Sequence, residues 1–177
     1  MTARELAEYR ALRATIRERG TTRMWLQWAT FIAWAAMTIA TAALAPWPIE
    51  TLVPLLVLAV GFETGFALHT GVERIGRYIQ VFFEGEDADH GWEHRIMAYG
   101  DGVRATASDP LLALHFWTAT VLNFVPALLA NLAPSEWIVV GVLHLLLMAR
   151  IGAARRHATR QRAIDLERFR QLKGRTA

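Results

Sequence analysis

Residues 24–70 read MWLQWATFIAWAAMTIATAALAPWPIETLVPLLVLAVGFETGFALHT, and Arg23 and Arg74 bracket fifty residues that contain no cation and only Glu50, Glu63 and Glu73 as anions. A run of that length holds two membrane spans of about 20 residues each. The break between them falls at Ala45-Pro46-Trp47-Pro48, because proline lacks a backbone donor and hydrocarbon offers no water to replace its bond. The first span is therefore 24–45 and the second about 52–70. A third is expected at about 110–130, opened by Asp109-Pro110, and a fourth at about 136–149, opened by Ser135 and closed by Arg150. Asn131 to Ser135 forms the turn between them.

The rest of the composition agrees with this segregation of charge and oil. The chain has 177 residues, 54% of them hydrophobic and 20% charged, and no cysteine. It is too apolar for an ordinary soluble domain, and it excludes a disulfide scaffold, a thiolate metal centre and a thiol nucleophile. Six arginines lie in 1–23, four in 71–109, nine Lys+Arg in 150–177, and none in the two short turns. Since Lys and Arg accumulate on the cytoplasmic side, both termini and the loop 71–109 are expected in the cytoplasm. Trp25, Trp47, Trp117 and Trp137 fall near span ends, where an interfacial aromatic belt would put them. The expected fold is an all-α integral membrane four-helix bundle, 24–149, with cytoplasmic helical extensions: an amphipathic helix at 1–23 and a basic helix at 150–177. The first extension opens with Thr2-Ala3-Arg4-Glu5, a capping box, and carries Leu6, Tyr9, Leu12 and Ile16 on one face.

Helix faces carry the functional expectations. Ala29, Ala33, Ala36, Ala40 and Ala43 form a small-residue seam on the first span, along which another helix can approach closely. On the second, Pro54, Leu58, Gly61, Gly65, Leu68, Val72, Ile75, Ile79 and Phe82 share a stripe that predicts a helix continuing to about Phe83. Beside it runs a polar row, Ala59, Glu63, Phe66, Thr70, Glu73 and Arg77. A carboxylate in hydrocarbon must be protonated, paired or wet. One solution is a water-filled axis shared by several copies of the chain, lined by Glu63, Thr70, Glu73 and Arg77, with Phe66 as an apolar constriction. The other is a Glu63 satisfied inside its own subunit.

A second constellation is set by depth. His115 lies six residues after Asp109 and His144 six before Arg150, so both sit about 9 Å from one membrane edge, close to the layer of Glu63. Together with Asn123 they form an intramembrane polar layer that suits a hydrogen-bonded cluster, a proton relay or a bis-histidine haem site. Pro126 allows a kink three residues beyond Asn123. Outside the spans, Arg155, Arg156, Arg160, Arg162, Arg168 and Arg170 make the C-terminal segment a candidate surface for anionic lipid or a nucleic acid. His90, Trp92, Glu93 and His94 form a small polar cluster in the central loop. No catalytic signature, metal-ligand set or cofactor motif is present in the sequence, so neither an enzyme nor a bound metal or cofactor is expected.

Four spans, both ends in the cytoplasm, arginine-rich flanking helices and no enzyme domain give a layout that resembles small bacterial membrane effectors of anti-phage systems, of the Hailong type. The resemblance covers the whole chain as architecture. It implies a homo-oligomeric, tetrameric ion channel that depolarises the inner membrane. It also implies a single-stranded DNA oligomer or nucleotide as ligand, and a nucleotidyltransferase partner that makes it. The alternatives from other classes are a structural or accessory subunit that scaffolds a larger membrane complex, and a haem-binding or proton-relay membrane protein.

Overall fold

The computed structural model describes residues 1–44, 51–84, 91–95, 110–129 and 131–176. The proline turn, residues 85–90 including His90 of the polar cluster, Asp109 and most of the central loop lie outside these residues. The described chain is all helical: α1 (Ala3–Leu44), α2 (Leu52–Phe82), α3 (Pro110–Leu129) and α4 (Pro134–Thr176), with one further helical turn at 92–95. Three of the four, α1, α2 and α4, are long and apolar enough to cross a membrane, and a shorter apolar helix lies at Ala113–Leu129.

The local signals act as their chemistry requires. At the start of α1 the Thr2 amide donates to Glu5 Oε2 (2.7 Å) and the Glu5 amide donates to Thr2 Oγ1 (3.3 Å), the reciprocal pair of a capping box. At α4 the boundary moves. Ser135 is not the cap; the helix opens at Pro134, the Trp137 amide donates to the Ala133 carbonyl (3.1 Å), and the Ala133 amide donates to Glu136 Oε2 (2.9 Å). Proline occupies the first helical position, where its missing donor costs nothing. Gly20 does not end α1, nor do Gly71 and Gly76 end α2. A single helix Pro134–Thr176 carries both the fourth apolar tract and the basic tail. At about 1.5 Å per residue, α1 and α4 each exceed 60 Å, twice the thickness of a hydrocarbon layer.

The chain divides into two compact units. The apolar unit contains 24–66 and 109–154. Its core is aromatic: Phe116, 1% exposed, packs edge-on against Phe62 (5.4 Å between centroids) and against Phe31 (5.1 Å), and Phe62 stacks on Phe66 (6.0 Å). Gly61 brings α2 against α1, since a Cβ there would overlap the Thr30 side chain. The hydroxyls of Thr30, Thr38, Thr64 and Thr120 each donate to the carbonyl four residues back, which satisfies them without a partner helix. Within this unit the expected apolar stripe of α2 turns inward, with Pro54, Leu58, Gly61 and Gly65 buried. The alanine seam of α1 does not: Ala29, Ala33, Ala36 and Ala43 are exposed, while Thr30, Phe31 and Trp34 face the unit's interior.

The polar unit contains 1–23, 67–108 and 155–177. Tyr9, Tyr78, Phe82, Phe83 and Phe169 form its aromatic cluster, with Tyr78 4.6 Å from Phe82 and 5.6 Å from Phe169. Lys173 donates to the Val81 carbonyl (2.7 Å), one of the last four carbonyls of α2 and therefore without a partner inside its own helix.

Candidate functional site

In the apolar unit the charged groups among the described residues are Glu63, Glu136 and Arg150. Glu63 and Arg150 meet in a two-pronged pair: Arg150 Nη2 donates to Glu63 Oε2 and Arg150 Nε faces Oε1, each at 2.8 Å. The Arg150 guanidinium also lies 5.5 Å over the Phe66 ring. Both charged side chains are roughly half exposed, 47% and 42%, although their surroundings are apolar. Trp25, Trp28, Ile32, Leu56, Val60, Ile138 and Leu145 are all exposed on the same unit. A charged pair on an oily surface is the anomaly of this unit.

The intramembrane layer resolves differently from its depth-based expectation. Asn123 is the centre of a buried cluster: its Oδ1 accepts from Trp34 Nε1 (3.0 Å), and its Nδ2 donates to the Thr51 carbonyl (2.9 Å) and to His144 Nε2 (3.0 Å). His144 Nδ1 in turn donates to the Val140 carbonyl (2.8 Å). Both imidazole nitrogens of His144 are thus engaged, and an iron or other metal at either one would break a hydrogen bond. Glu63 takes Arg150 as its partner, and His115 is exposed, its ring 6.3 Å from Phe31. Among the described residues no group of three or more His, Asp or Glu side chains is disposed to hold a metal ion.

The lower part of the polar row enters the polar unit and turns inward. Arg77 is 4% exposed; its Nη1 donates to Glu73 Oε2 (3.4 Å) and its Nη2 to Asp165 Oδ2 (3.1 Å). Asp165, 5% exposed, also accepts from Gln161 Nε2 (2.9 Å) and Arg74 Nε (3.4 Å). Burial alone would push its pKa up, but the donors Gln161, Arg74 and Arg77 outweigh burial and hold the carboxyl below the ordinary carboxylate range. Glu73 accepts from Arg162 Nη2 (2.7 Å), and His69 lies 3.7 Å from the same oxygen. Thr70 donates its hydroxyl to the Ala67 carbonyl (3.1 Å).

A second ion cluster joins α1 to the turn at 92–95. Arg13 Nη1 donates to Glu93 Oε1 (2.6 Å), its Nε donates to the Tyr9 hydroxyl (3.0 Å), and its Nη2 is 3.6 Å from Glu84. Glu84, its side chain 8% exposed, accepts the amides of Glu93 (3.0 Å) and His94 (3.2 Å) and pairs with His94 Nδ1 (3.1 Å). This carboxylate caps the short helical turn from outside, and so organises the Trp92, Glu93, His94 cluster that the sequence left without a core. Burial works against the charged form of Arg13, yet hydrogen bonds with Tyr9 and Glu93 outweigh it and raise its affinity for the proton. Arg13 and Glu84 carry no motif. The one sequence signal for them is their position beside Tyr9 and at the end of the α2 stripe.

Along α4, Arg156, Arg160, Arg168, Arg170 and Arg175 are exposed, while Ile151, Ala154, Ala158 and Asp165 form a buried line. Arg162, grouped with them by sequence, belongs to the Glu73 network, and the Arg155 side chain lies outside the described residues. No protein family, curated protein or solved structure matches this chain. Fold and site therefore define a class by architecture alone: an all-helical protein with helices long and apolar enough to span a membrane, and a separate polar unit held by buried ion pairs.

Proposed function

We propose that the protein is a homo-oligomeric ion channel of the bacterial inner membrane, with α2 nearest the axis and both termini in the cytoplasm. The observation that carries this reading is the half-exposed Glu63–Arg150 pair on an otherwise oily surface. A charge left without a partner costs about 3 kcal/mol at mid-bilayer on insertion scales and less towards the edge, where Arg150 closes its span; a pair left half exposed on an apolar face is most stable where water or another copy covers it. A ring of copies supplies both, with the pairs lining a wet axis. Phe66, only 8% exposed in the aromatic core, lies beneath Arg150 as its support and is not a constriction on the axis. Glu73 and Arg77 then stabilise the polar unit, and the lining falls to Glu63 and Arg150. In reconstituted planar bilayers, Glu63→Gln and Arg150→Gln are expected to change unitary conductance or selectivity. Conductance identical to the parent in both overturns the lining.

The exposed arginines of α4 extend the proposal to a ligand. Repeated around a ring, Arg156, Arg160, Arg168 and Arg170 present dense positive charge suited to a single-stranded oligonucleotide, which neutralises many sites together. Its binding is expected to weaken steeply with salt and with Arg→Glu changes at 168 and 170; indifference to both removes the ligand. A second reading, a scaffold subunit, is favoured by the outward alanine face of α1, which suits close packing against a foreign helix. Mass in detergent separates the two, because a stable monomer cannot enclose the axis.

A further inference from the structure

The polar unit contains a cavity of about 320 Å³ that neither conduction nor the arginine face of α4 uses. Its walls come from three helices and the turn at 92–95: Arg13 of α1, Gly76 and Arg77 of α2, Arg162 of α4, and Trp92 with Glu93 of the turn. We propose that this cavity binds a small ligand that carries one oxyanion, a carboxylate or a phosphate ester, on a planar aromatic body.

Three observations converge on the oxyanion. Arg77 is almost wholly buried, and its Nε–H has no acceptor even though Nη1 and Nη2 are both used. A buried donor left over in a cavity wall calls for an acceptor, and the fork of a guanidinium suits an oxyanion. Arg13 and Arg162 flank Arg77 and add to the positive potential. The number of charges is limited as well, because Arg13, Arg74, Arg77 and Arg162 are already balanced by Glu73, Glu84, Glu93 and Asp165. One further oxyanion is accommodated beside Arg77, whereas a polyanion would meet the carboxylates.

The aromatic body follows from the mouth and the floor. Trp92 is 64% exposed at the cavity although it is a large indole, and the Glu84 carboxylate that accepts the amides of residues 93 and 94 holds its turn in place. Ile16 and Val72 supply the apolar wall against which a ring would lie. Gly76 keeps the floor open, since a Cβ there would come 2.9 Å from Glu93 Oε2. The volume lies at the lower end of the range for small-molecule sites, about 300 to 1,000 Å³.

The test is equilibrium dialysis of the full chain in detergent micelles, with radiolabelled adenosine monophosphate and indole-3-acetate as separate probes. At least one is expected to saturate at one site per chain, and which one does so assigns the phosphate ester or the carboxylate. Trp92→Ala removes an exposed ring without touching the core, and Gly76→Leu fills the cavity without changing charge. Each is expected to weaken binding about tenfold or more. Arg4→Gln, exposed at the start of α1, is expected to leave it unchanged. Saturation by neither probe, binding that survives Trp92→Ala and Gly76→Leu, or binding lost with Arg4→Gln instead overturns the proposal.

Discussion

Replacing Arg77 by methionine keeps an unbranched stem and removes the one cation that the buried Asp165 and the part-buried Glu73 share. Breaking a buried pair by deleting one partner costs about 3–5 kcal/mol when the other is left alone. Here neither carboxylate is left alone. Asp165 keeps Gln161 at 2.9 Å and Arg74 at 3.4 Å, and Glu73 keeps Arg162 at 2.7 Å. The methionine also packs its stem where the guanidinium had been, so the expected loss is about 2–3 kcal/mol. Amide exchange of α2 near Ile79 and of α4 near Asp165, followed by mass spectrometry in micelles, reads that loss as opening that is roughly 30- to 150-fold more frequent. The cycle with Asp165→Leu supplies the control. In the double variant no carboxylate remains at 165 to miss Arg77, and its cost is expected to fall short of the sum of the singles by at least about 1 kcal/mol. Exchange within threefold of the parent for Arg77→Met, or strict additivity in the cycle, would refute a shared buried network.

Asp165 also makes the polar unit sensitive to acid. Its folded-state carboxyl titrates below the unfolded value near 3.8, so the stabilisation is complete above that value and is lost as pH falls towards the folded one. Thermal melts should drop below about pH 4, and Asp165→Asn should flatten that step. The two glycines of α2 should separate cleanly. Gly61→Val collides with Thr30 and is expected to cost about 2 kcal/mol or more, whereas Gly65→Ala, with nothing within 4 Å of the added carbon, should lie within about 0.5 kcal/mol of the parent in a detergent melt. Asn123→Leu gives up three hydrogen bonds, and at about 0.6 kcal/mol each within a bilayer it should lower stability by about 2 kcal/mol. An unchanged unfolding midpoint for that variant would mean that Trp34, Thr51 and His144 find other partners.

Much of the helical order was legible in the residues. Period-3.6 stripes and charge-free tracts announced α1, α2 and the apolar half of α4, and the capping box at Thr2 and Glu5 formed as its spacing implies. Ser135 misled because serine is a common cap, while Pro134 one residue earlier already has a helical backbone angle. The alanine seam named a face for close approach without naming its partner. Within one chain α1 meets α2 through Thr30 and Gly61, and the alanines face outward.

What the amino-acid order determined alone is whatever depends on neighbours a few positions away: helix, apolar length, caps, and the azimuth of each stripe. Partner choice is of another kind. Glu63 finds Arg150 and Arg77 finds Asp165 across 87 and 88 residues, and Glu84 folds back on the turn nine residues later. Such pairs depend on how far one helix is slid and rotated against the next. A slip of one residue turns a side chain by about 100°, so hydropathy alone admits several registers and only the packed helices select one. Tertiary packing thereby moved Glu73 and Arg77 from an expected lining into a buried network, and left Glu63 with its arginine at the surface.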